Sequence, residues 1–285
     1  MRDAKPSSTA FKVAINLLVL GAKPGTEHVL PPGLIEATAR LLVACGLLKE
    51  RTVGRLRSPW MVRIYEAFDW MMPGQFVAFA HRKAFCERQV REGMANGVSQ
   101  ILVLGAGYDT LAWRLSAQFP KSRFFEIDHP ATASVKARGV DQLGARANHH
   151  LLPKDLSAER LVDVLEGCEE WDPRAPSIFI AEGLVEYLPP AAVHDLFAQC
   201  AAIAGPSRLA FTYAPTGPNG KPEAGPLGRL LLWLLKVRGE PWLWSARPDE
   251  LPAFLSKAGW ILDPQAEDPT VQHGVERFVV ARSIS

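Results

Sequence analysis

The segment QILVLGAGYDTLAWRL, from Gln100 to Leu115, decides the fold of this chain of 285 residues. It begins with a short run of apolar residues, passes through Gly105-Ala106-Gly107 and continues with a helical pattern. A continuous apolar run of this length is typical of a strand that is buried on both faces of a parallel sheet. The segment therefore predicts a buried strand, a glycine turn and a helix in succession.

Strand and helix patterns alternate along the chain after this segment. The apolar runs predict strands over residues 101–104, 123–127, 149–152, 177–181, 207–213 and 275–281. Helical patterns between and after them cover residues 110–118, 131–138, 157–165, 190–203 and 251–258. This alternation predicts an α/β fold with a doubly wound, Rossmann-like parallel sheet and helices on both faces.

The first hundred residues are predicted to be mainly helical, with helices from about Ser7 to Leu20, Gly33 to Leu48 and Gln75 to Ala95. We expect an N-terminal helical cap over residues 1–98 and a Rossmann-like catalytic domain over residues 99–285. The region 214–246 is expected to be an insertion that contains Trp233, Trp242 and Trp244. We expect this insertion to be a lid in which the tryptophans cover an apolar small molecule; the alternative is a packing helix at the domain edge.

Composition excludes several classes of protein. The chain has 32 basic and 30 acidic residues without a basic run, which disfavours nucleic-acid binding. Its four cysteines are far apart and show no metal-ligand spacing, so we expect no metal site. The apolar stretches at residues 13–22 and 227–244 are too short, or too often interrupted by charges, for a membrane span. We therefore expect a cytoplasmic protein without a membrane span.

The fold predicts where a ligand binds. In doubly wound sheets, ligands bind beyond the carboxyl ends of the strands, at the point where the strand order reverses. The loops that start at Gly105, Asp128, Asp155 and Glu182 all lie on that edge. We therefore expect one binding site that is built from these loops.

Two of these loops indicate a cofactor that contains a nucleoside. Gly105 and Gly107 allow the backbone to pass close to a ligand at the start of a helix. Glu126 and Asp128 follow Gly107 by 19 and 21 residues (126 − 107 and 128 − 107), which is the spacing expected for an acid that binds ribose hydroxyls. These features alone leave both NAD and S-adenosylmethionine open.

The residues after the second glycine favour S-adenosylmethionine. A dinucleotide-binding loop would carry a third glycine at position 110, where this chain has Thr110. Asp109 would stand close to the diphosphate and repel it, whereas an acid is compatible with the sulfonium and ammonium groups of S-adenosylmethionine. The methyl donor is therefore the favoured cofactor.

Three segments also resemble a known family. Residues 100–115 (QILVLGAGYDTLAWRL), 125–130 (FEIDHP) and 181–188 (AEGLVEYL) are similar to the leucine carboxyl methyltransferase family. Its bacterial branch contains many predicted O-methyltransferases, some of which act on polyketides. The resemblance covers about residues 75–215 and implies a class I methyltransferase fold with S-adenosylmethionine as the cofactor.

The resemblance implies roles at the methionine end of this cofactor. Arg82 and Lys12 match positions that bind the methionine carboxylate. Gly105 and Gly107 match positions that line the methionine portion, and Glu182 matches a glutamate on the cofactor side of the fourth strand.

At the nucleoside end, the resemblance implies that Asp128 contacts the ribose, with Glu126 beside it. The pair Asp155-Leu156 matches residues that border the adenine. Glu186 departs from the family pattern, which commonly has methionine or another apolar residue at that position. This departure concerns the substrate pocket rather than the cofactor site.

These observations predict a methyltransferase that acts on a carboxylate or hydroxyl oxygen of a small, apolar molecule, with Glu182 and Tyr187 as candidate catalytic residues. A carboxylate is already ionised at pH 7 and needs no general base, whereas a phenol or alcohol would gain from one. Histidines, Tyr187 and Tyr213 are the candidates for such a base.

Two alternative functions are also compatible with the fold. One is an NAD(P)-dependent oxidoreductase, although neither Tyr187 nor Tyr213 is followed by a lysine four positions later. The other is a non-catalytic relative that binds a partner through the apolar region 227–244.

Overall fold

The computed structural model describes residues 5–237, 239–263 and 272–284. Its centre is a sheet whose strands follow one another in the chain as β1 (Gln100–Leu104), β2 (Arg123–Asp128), β3 (His149–Pro153), β4 (Ser177–Ala181), β5 (Ser207–Tyr213), β6 (Trp260–Leu262), β7 (Gln272–His273) and β8 (Glu276–Ser283). Their order across the sheet is β3-β2-β1-β4-β5-β8-β6, with β7 paired to β8.

The strand order confirms the predicted doubly wound topology. Strands β1 to β5 are parallel, and β1 lies between β2 and β4, so the chain reverses its direction of winding there. The far side of the sheet differs from the expectation of a parallel sheet, because β8 pairs antiparallel with both β5 and β6. An antiparallel pair needs no crossover helix, and the short strands β6 and β7 were not predicted.

Helices cover both faces of the sheet. After β1 they are α6 (Leu111–Gln118), α7 (Pro130–Leu143), α8 (Leu161–Glu166), α9 (Pro190–Ala202), α10 (Gly228–Val237) and α11 (Leu251–Lys257). Most match the predicted helices within a few residues, but α8 begins four residues later than predicted. Short 3-10 helices occupy Asp69–Met71 and Val185–Tyr187.

The part of the chain before the sheet contains α1 (Ser8–Leu20), α2 (Leu34–Ala44), α3 (Glu50–Leu56), α4 (Pro59–Ala67) and α5 (Gln75–Ala95). The side chain of Ser7 caps α1, accepting a hydrogen bond from the amide of Ala10. Sequence patterns predicted α1, α2 and α5, whereas α3 and α4 are short and were not predicted.

Two apolar layers fill the faces of the sheet because alternate strand residues point to opposite sides. One layer includes Leu102, Phe125 and Phe179. The other includes Ile101 and Phe124, and the apolar side chains of α5 pack directly into it. Helix α5 thus lies against the sheet itself, and this position brings its polar residues to the sheet edge.

The three tryptophans of the region 214–246 do not share one surface. Trp244 is buried in the core of the sheet, Trp242 is half-buried, and Trp233 on α10 is 57% exposed. Residue 238 of this region lies outside the described residues. Within the described residues, no helix is both long enough and apolar enough to cross a membrane.

Candidate cofactor-binding cavity

A cavity of about 520 Å³ lies beyond the carboxyl ends of β1, β2, β3 and β4. This is the edge at which the fold predicts a ligand site. The structure brings eight of the predicted site residues to its wall, namely Arg82, Gly105, Gly107, Asp128, Asp155, Leu156, Glu182 and Tyr187. Residues of helix α1 and of the loop 239–243 also line it.

The loop after β1 needs both of its glycines. Gly105 has φ +64° and Gly107 has φ +50°, which lie in the left-handed region that favours glycine. A Cβ atom on Gly105 would stand 2.7 Å from Cδ1 of Leu184, and one on Gly107 would stand 2.9 Å from Cβ of Ala10. The glycines therefore allow both the turn and the close approach of α1 to it.

At one side of the cavity, four buried charged side chains form what we call the charged end: Arg82, Lys83, Asp109 and Glu182. Their side chains are at most 8% exposed. Nε of Arg82 donates to Oε1 of Glu182 at 2.9 Å, and Nζ of Lys83 lies 2.7 Å from the same oxygen. Nζ of Lys83 also lies 3.2 Å from Oδ2 of Asp109.

Ion pairs keep Lys83 and Asp109 charged although both side chains are buried. Burial would lower the pKa of Lys83, but Asp109 and Glu182 outweigh it and raise that pKa. Burial would raise the pKa of Asp109, but Lys83, Lys136 and Arg114 hold it at about 2. The charged end thus combines fixed cations with fixed anions.

Two further glutamates lie behind the charged end. Glu276 on β8 accepts a hydrogen bond from Nη1 of Arg82 at 2.7 Å. Glu186 is fully buried, and neither of its carboxyl oxygens has a hydrogen-bond partner within the described residues. Burial, reinforced by Glu276, raises the pKa of Glu186 to about 8. Glu186 does not line the cavity, so its departure from the family pattern alters the surroundings of Arg82 rather than the cavity wall.

On the side of β2 and β3, three residues form what we call the nucleoside end: Asp128, Asp155 and Leu156. Oδ2 of Asp128 accepts a hydrogen bond from the amide of Gly107 at 2.6 Å. Burial raises the pKa of Asp128, and the hydrogen bond from Gly107 opposes that rise. Oδ1 of Asp155 accepts from the amide and hydroxyl of Ser157 at 2.9 and 2.7 Å.

Glu126 does not reach the cavity wall. It lies two residues before the end of β2 and is fully buried. Its Oε2 is 2.5 Å from Nζ of Lys136 on α7, and its Oε1 is 3.7 Å from Nε2 of His149. Burial would raise the pKa of Glu126, but Lys136 outweighs it and lowers that pKa. In this position Glu126 joins β2 to α7 through a buried ion pair, and only Asp128 faces the cavity.

Lys12 also lies away from the cavity, with an exposed side chain. The residues of α1 that line the cavity are Thr9, Ala10, Val13, Ala14 and Leu17 instead. Tyr187 does line it, and burial raises the pKa of this phenol to about 12. The phenol therefore stays protonated at neutral pH and donates hydrogen bonds rather than accepting protons.

A set of hydrogen bonds joins the two segments that close the cavity. The carboxylate of Glu240, in the loop after α10, accepts from the hydroxyls of Ser7 at 3.2 Å and Ser8 at 3.3 Å, and also from Thr9. Ser7, Thr9 and Glu240 all line the cavity. We call these contacts the Glu240 latch; they connect positions more than 230 residues apart in the sequence.

Sequence reasoning missed Lys83, Glu276 and the Glu240 latch. For Lys83 a signal was present, because it follows Ala80 by three residues and precedes Val90 by seven, which places it on the buried face of α5. Glu276 lies in an apolar strand whose position beside α5 is set by tertiary structure alone. The latch joins polar residues that are ordinary surface residues in the sequence.

The cavity fits S-adenosylmethionine in three respects. The backbone of Gly105 and Gly107 lines the cavity, so a ligand can approach the main chain closely there. Asp128 presents a carboxylate where the fold expects a ribose. Oε2 of Glu182 is buried and has no hydrogen-bond partner within the described residues, which suits an ammonium group. When bound, the methionine part would contact Arg82, Gly105, Gly107 and Glu182, and the nucleoside would lie along Asp128, Asp155 and Leu156.

Sequence comparisons identify the family. The profile of the leucine carboxyl methyltransferase family matches residues 45–201, which is more than half of the chain. A predicted S-adenosyl-L-methionine-dependent methyltransferase from Streptomyces avermitilis is 31% identical over 195 residues, covering 64% of this chain and 62% of that relative. Another from Mycolicibacterium paratuberculosis is 34% identical over 155 residues, covering 54% and 47%. The alignments thus span less than two thirds of these relatives.

Comparison of structures supports the same fold. A predicted methyltransferase from Thermobifida fusca superposes with a TM-score of 0.57 at 18% identity, covering 92% of this chain and 98% of that chain. The shared architecture agrees with the Rossmann-like class I methyltransferase fold that the sequence predicts. From the matched family profile and these relatives, the chain belongs to the leucine carboxyl methyltransferase family, a family of S-adenosylmethionine-dependent methyltransferases, and S-adenosylmethionine is its cofactor.

Proposed function

We propose that this chain transfers the methyl group of S-adenosylmethionine to an oxygen atom of a small, apolar molecule, and that a carboxylate is the favoured acceptor group. The main support is that the acidic side chains lining the cavity are already hydrogen-bonded within the protein. Asp109, Asp128, Asp155, Glu182 and Glu240 each accept hydrogen bonds from groups of the chain itself. These bonds give the five carboxylates roles within the protein, and the buried oxygen of Glu182 that has no partner in the described part of the chain, Oε2, lies at the charged end, where it suits the cofactor's ammonium group.

The tyrosines of the cavity lead to the same preference. Burial raises the pKa of Tyr108 and of Tyr187 to about 12, so both phenols are protonated at pH 7. A carboxylate acceptor is already ionised and needs no base. In this proposal Tyr187 donates a hydrogen bond that orients the acceptor, and Glu182 holds the cofactor rather than moving a proton.

S-adenosylmethionine supplies an electrophilic methyl group on a sulfonium. The acceptor oxygen forms the new bond to carbon as the carbon–sulfur bond breaks, which leaves a neutral thioether and a neutral methyl ester. No proton is released from a carboxylate acceptor. The work of the protein is alignment and exclusion of water, which α1 and the Glu240 latch provide by covering the cavity.

The wall beside Tyr187 suits an apolar acceptor. Leu184, Leu188, Pro189, Pro241 and Leu243 all line this part of the cavity. Such a surface binds a hydrocarbon or aromatic body and leaves orientation to a few polar groups. The loop 239–243 contributes to this wall, and the tryptophans of the region 214–246 are not among its lining residues.

Calorimetric titration with S-adenosylhomocysteine, with NADH as the control ligand, tests the cofactor part of the proposal. We expect micromolar binding of S-adenosylhomocysteine and no binding of NADH. Binding of NADH alone would indicate an oxidoreductase. Binding of neither ligand would indicate a non-catalytic relative.

Mass spectrometry of products tests the acceptor part. Purified protein and S-adenosylmethionine are incubated with matched pairs of apolar carboxylic acids and phenols. We expect methyl esters from the acids to exceed methyl ethers from the phenols, and Tyr187→Phe to raise KM for the acid more than that for the cofactor. Methylation of phenols alone, with a rate that rises steeply with pH, would contradict a carboxylate acceptor.

A further inference from the structure

We propose that Lys83, together with Arg82, binds the carboxylate of the cofactor's methionine part, in the role that family resemblance assigns to Lys12. This assignment rests on the proposed function and deepens it. It concerns a residue of this chain that the sequence motif does not mark, and it follows from where the structure places the cations around the cavity.

The first step is the position of Lys12. On an α-helix, successive side chains are rotated by about 100°, so residue 12 lies about 140–160° from residues 10, 14 and 17 and about 100° from residue 13. Those four residues face the cavity, and Lys12 is exposed to solvent. Apart from Thr9, whose hydroxyl is bound to Glu240, α1 thus presents apolar residues to the cavity, and the cation that the family draws from this part of the chain is missing from the wall.

The second step is the position of Lys83. Its side chain is 8% exposed and lines the cavity, directly beside Arg82 in the sequence. An ammonium group has three donors, and Glu182 and Asp109 account for two of them. The third donor is available to a ligand anion. Lys83 therefore supplies the second cation from α5 that α1 does not supply.

The third step is the match of charges. The amino-acid end of the cofactor carries one carboxylate and one ammonium group. The charged end offers two cations, Arg82 and Lys83, beside two anions, Asp109 and Glu182. Oε2 of Glu182 is buried without a hydrogen-bond partner in the described part of the chain, so it can accept from the ligand ammonium. A zwitterion fits this arrangement, because each of its charges meets a group of opposite sign that is already fixed.

The test compares S-adenosylhomocysteine with its decarboxylated analogue, which lacks only the carboxylate. Both dissociation constants are measured by calorimetry for the wild type, Lys83→Met and Lys12→Met. In the wild type we expect the analogue to bind about tenfold to a hundredfold more weakly, as for loss of charged hydrogen bonds. In Lys83→Met this ratio should fall by about tenfold. In Lys12→Met, the matched control, it should stay at the wild-type value.

Lys83→Met leaves two buried carboxylates with one cation fewer, which destabilises the fold. A second variant with balanced charge is therefore measured as well. Lys83→Met/Asp109→Asn removes one positive and one negative charge together, and circular dichroism checks its fold. The ratio should shrink in this variant as well. An unchanged ratio in both Lys83 variants, or a collapse of the ratio in Lys12→Met, would overturn the assignment while leaving the proposed function intact. If the wild type binds neither ligand, the proposed function itself fails.

Discussion

The two ends of the cavity are built in different ways. At the charged end, Arg82 comes from α5 and pairs with Glu182 after β4 and with Glu276 on β8 behind it, so these ion pairs join positions 100 and 194 residues apart. At the nucleoside end, Asp155 bonds to Ser157 two residues later, and its side chain is 32% exposed. The charged end thus contributes to the stability of the fold. Replacing the side chains of the nucleoside end should instead weaken ligand binding without lowering the stability.

The largest effect that would test this difference is expected for Arg82→Met. The variant leaves Glu182 and Glu276 buried without their shared guanidinium, and removal of one partner from a buried ion pair costs about 3–5 kcal/mol. The free energy of unfolding, measured in urea, should fall by that amount. The control is Arg88→Met on the same helix, where the ion pair with Glu92 is long and exposed, and its cost should stay below about 1 kcal/mol. Equal losses in the two variants would break the comparison.

A smaller effect, and one of a different kind, is expected at the nucleoside end for Asp128→Asn. The amide of Gly107 can still donate to the asparagine oxygen, but the charge offered to the ribose hydroxyls is lost. The dissociation constant for S-adenosylhomocysteine should rise by about tenfold, with little change in unfolding free energy. Asp155→Asn, at the more exposed position, should raise it less. A loss of several kcal/mol of stability in Asp128→Asn would show that the two ends do not differ in this way.

The smallest effect concerns pH and the acid behind the charged end. Burial, with Glu276, raises the pKa of Glu186 from 4.5 to about 8, so the folded chain keeps a proton that the unfolded chain releases above pH 4.5. The stability contributed by this group is complete below pH 4.5 and is lost as the pH rises towards 8. Between pH 6 and 7 the wild type should lose about 1 kcal/mol relative to Glu186→Gln. Unfolding free energies of both proteins at the two pH values provide the measurement; parallel changes would show that Glu186 ionises normally.

The sequence indicated the sheet and the nucleoside end more completely than the charged end. The glycine loop, Asp128, Asp155 and Leu156 lie at strand ends, and a strand end can be recognised from its own local pattern. Glu126 lies in the same strand as Asp128, but which of the two reaches the cavity depends on how far each stands from the edge. That distance is set by the strand boundary, which a pattern locates only within a few residues.

The charged end was harder to predict because its geometry depends on distant partners. The position of Lys83 depends on its ion pairs with Asp109 and Glu182. The sequence of α5 does not reveal either partner. Lys12 was selected by resemblance, and the rotation of α1 decides that it faces solvent. For the same reason Trp233 and Trp244 lie close in sequence but in different environments, one exposed on α10 and one in the core.

The contact between Ala10 and Gly107 has a consequence for how such chains can diverge. Gly107 borders the cofactor cavity, yet the space beside it is also occupied by a methyl group from a helix almost a hundred residues earlier. A larger residue at position 10 would clash with the glycine loop, as would a larger residue at position 107. Substitutions at positions 10 and 107 should therefore be coupled among descendants of this chain. Exchange of the N-terminal helix between relatives should succeed only when the incoming helix has a small residue at position 10.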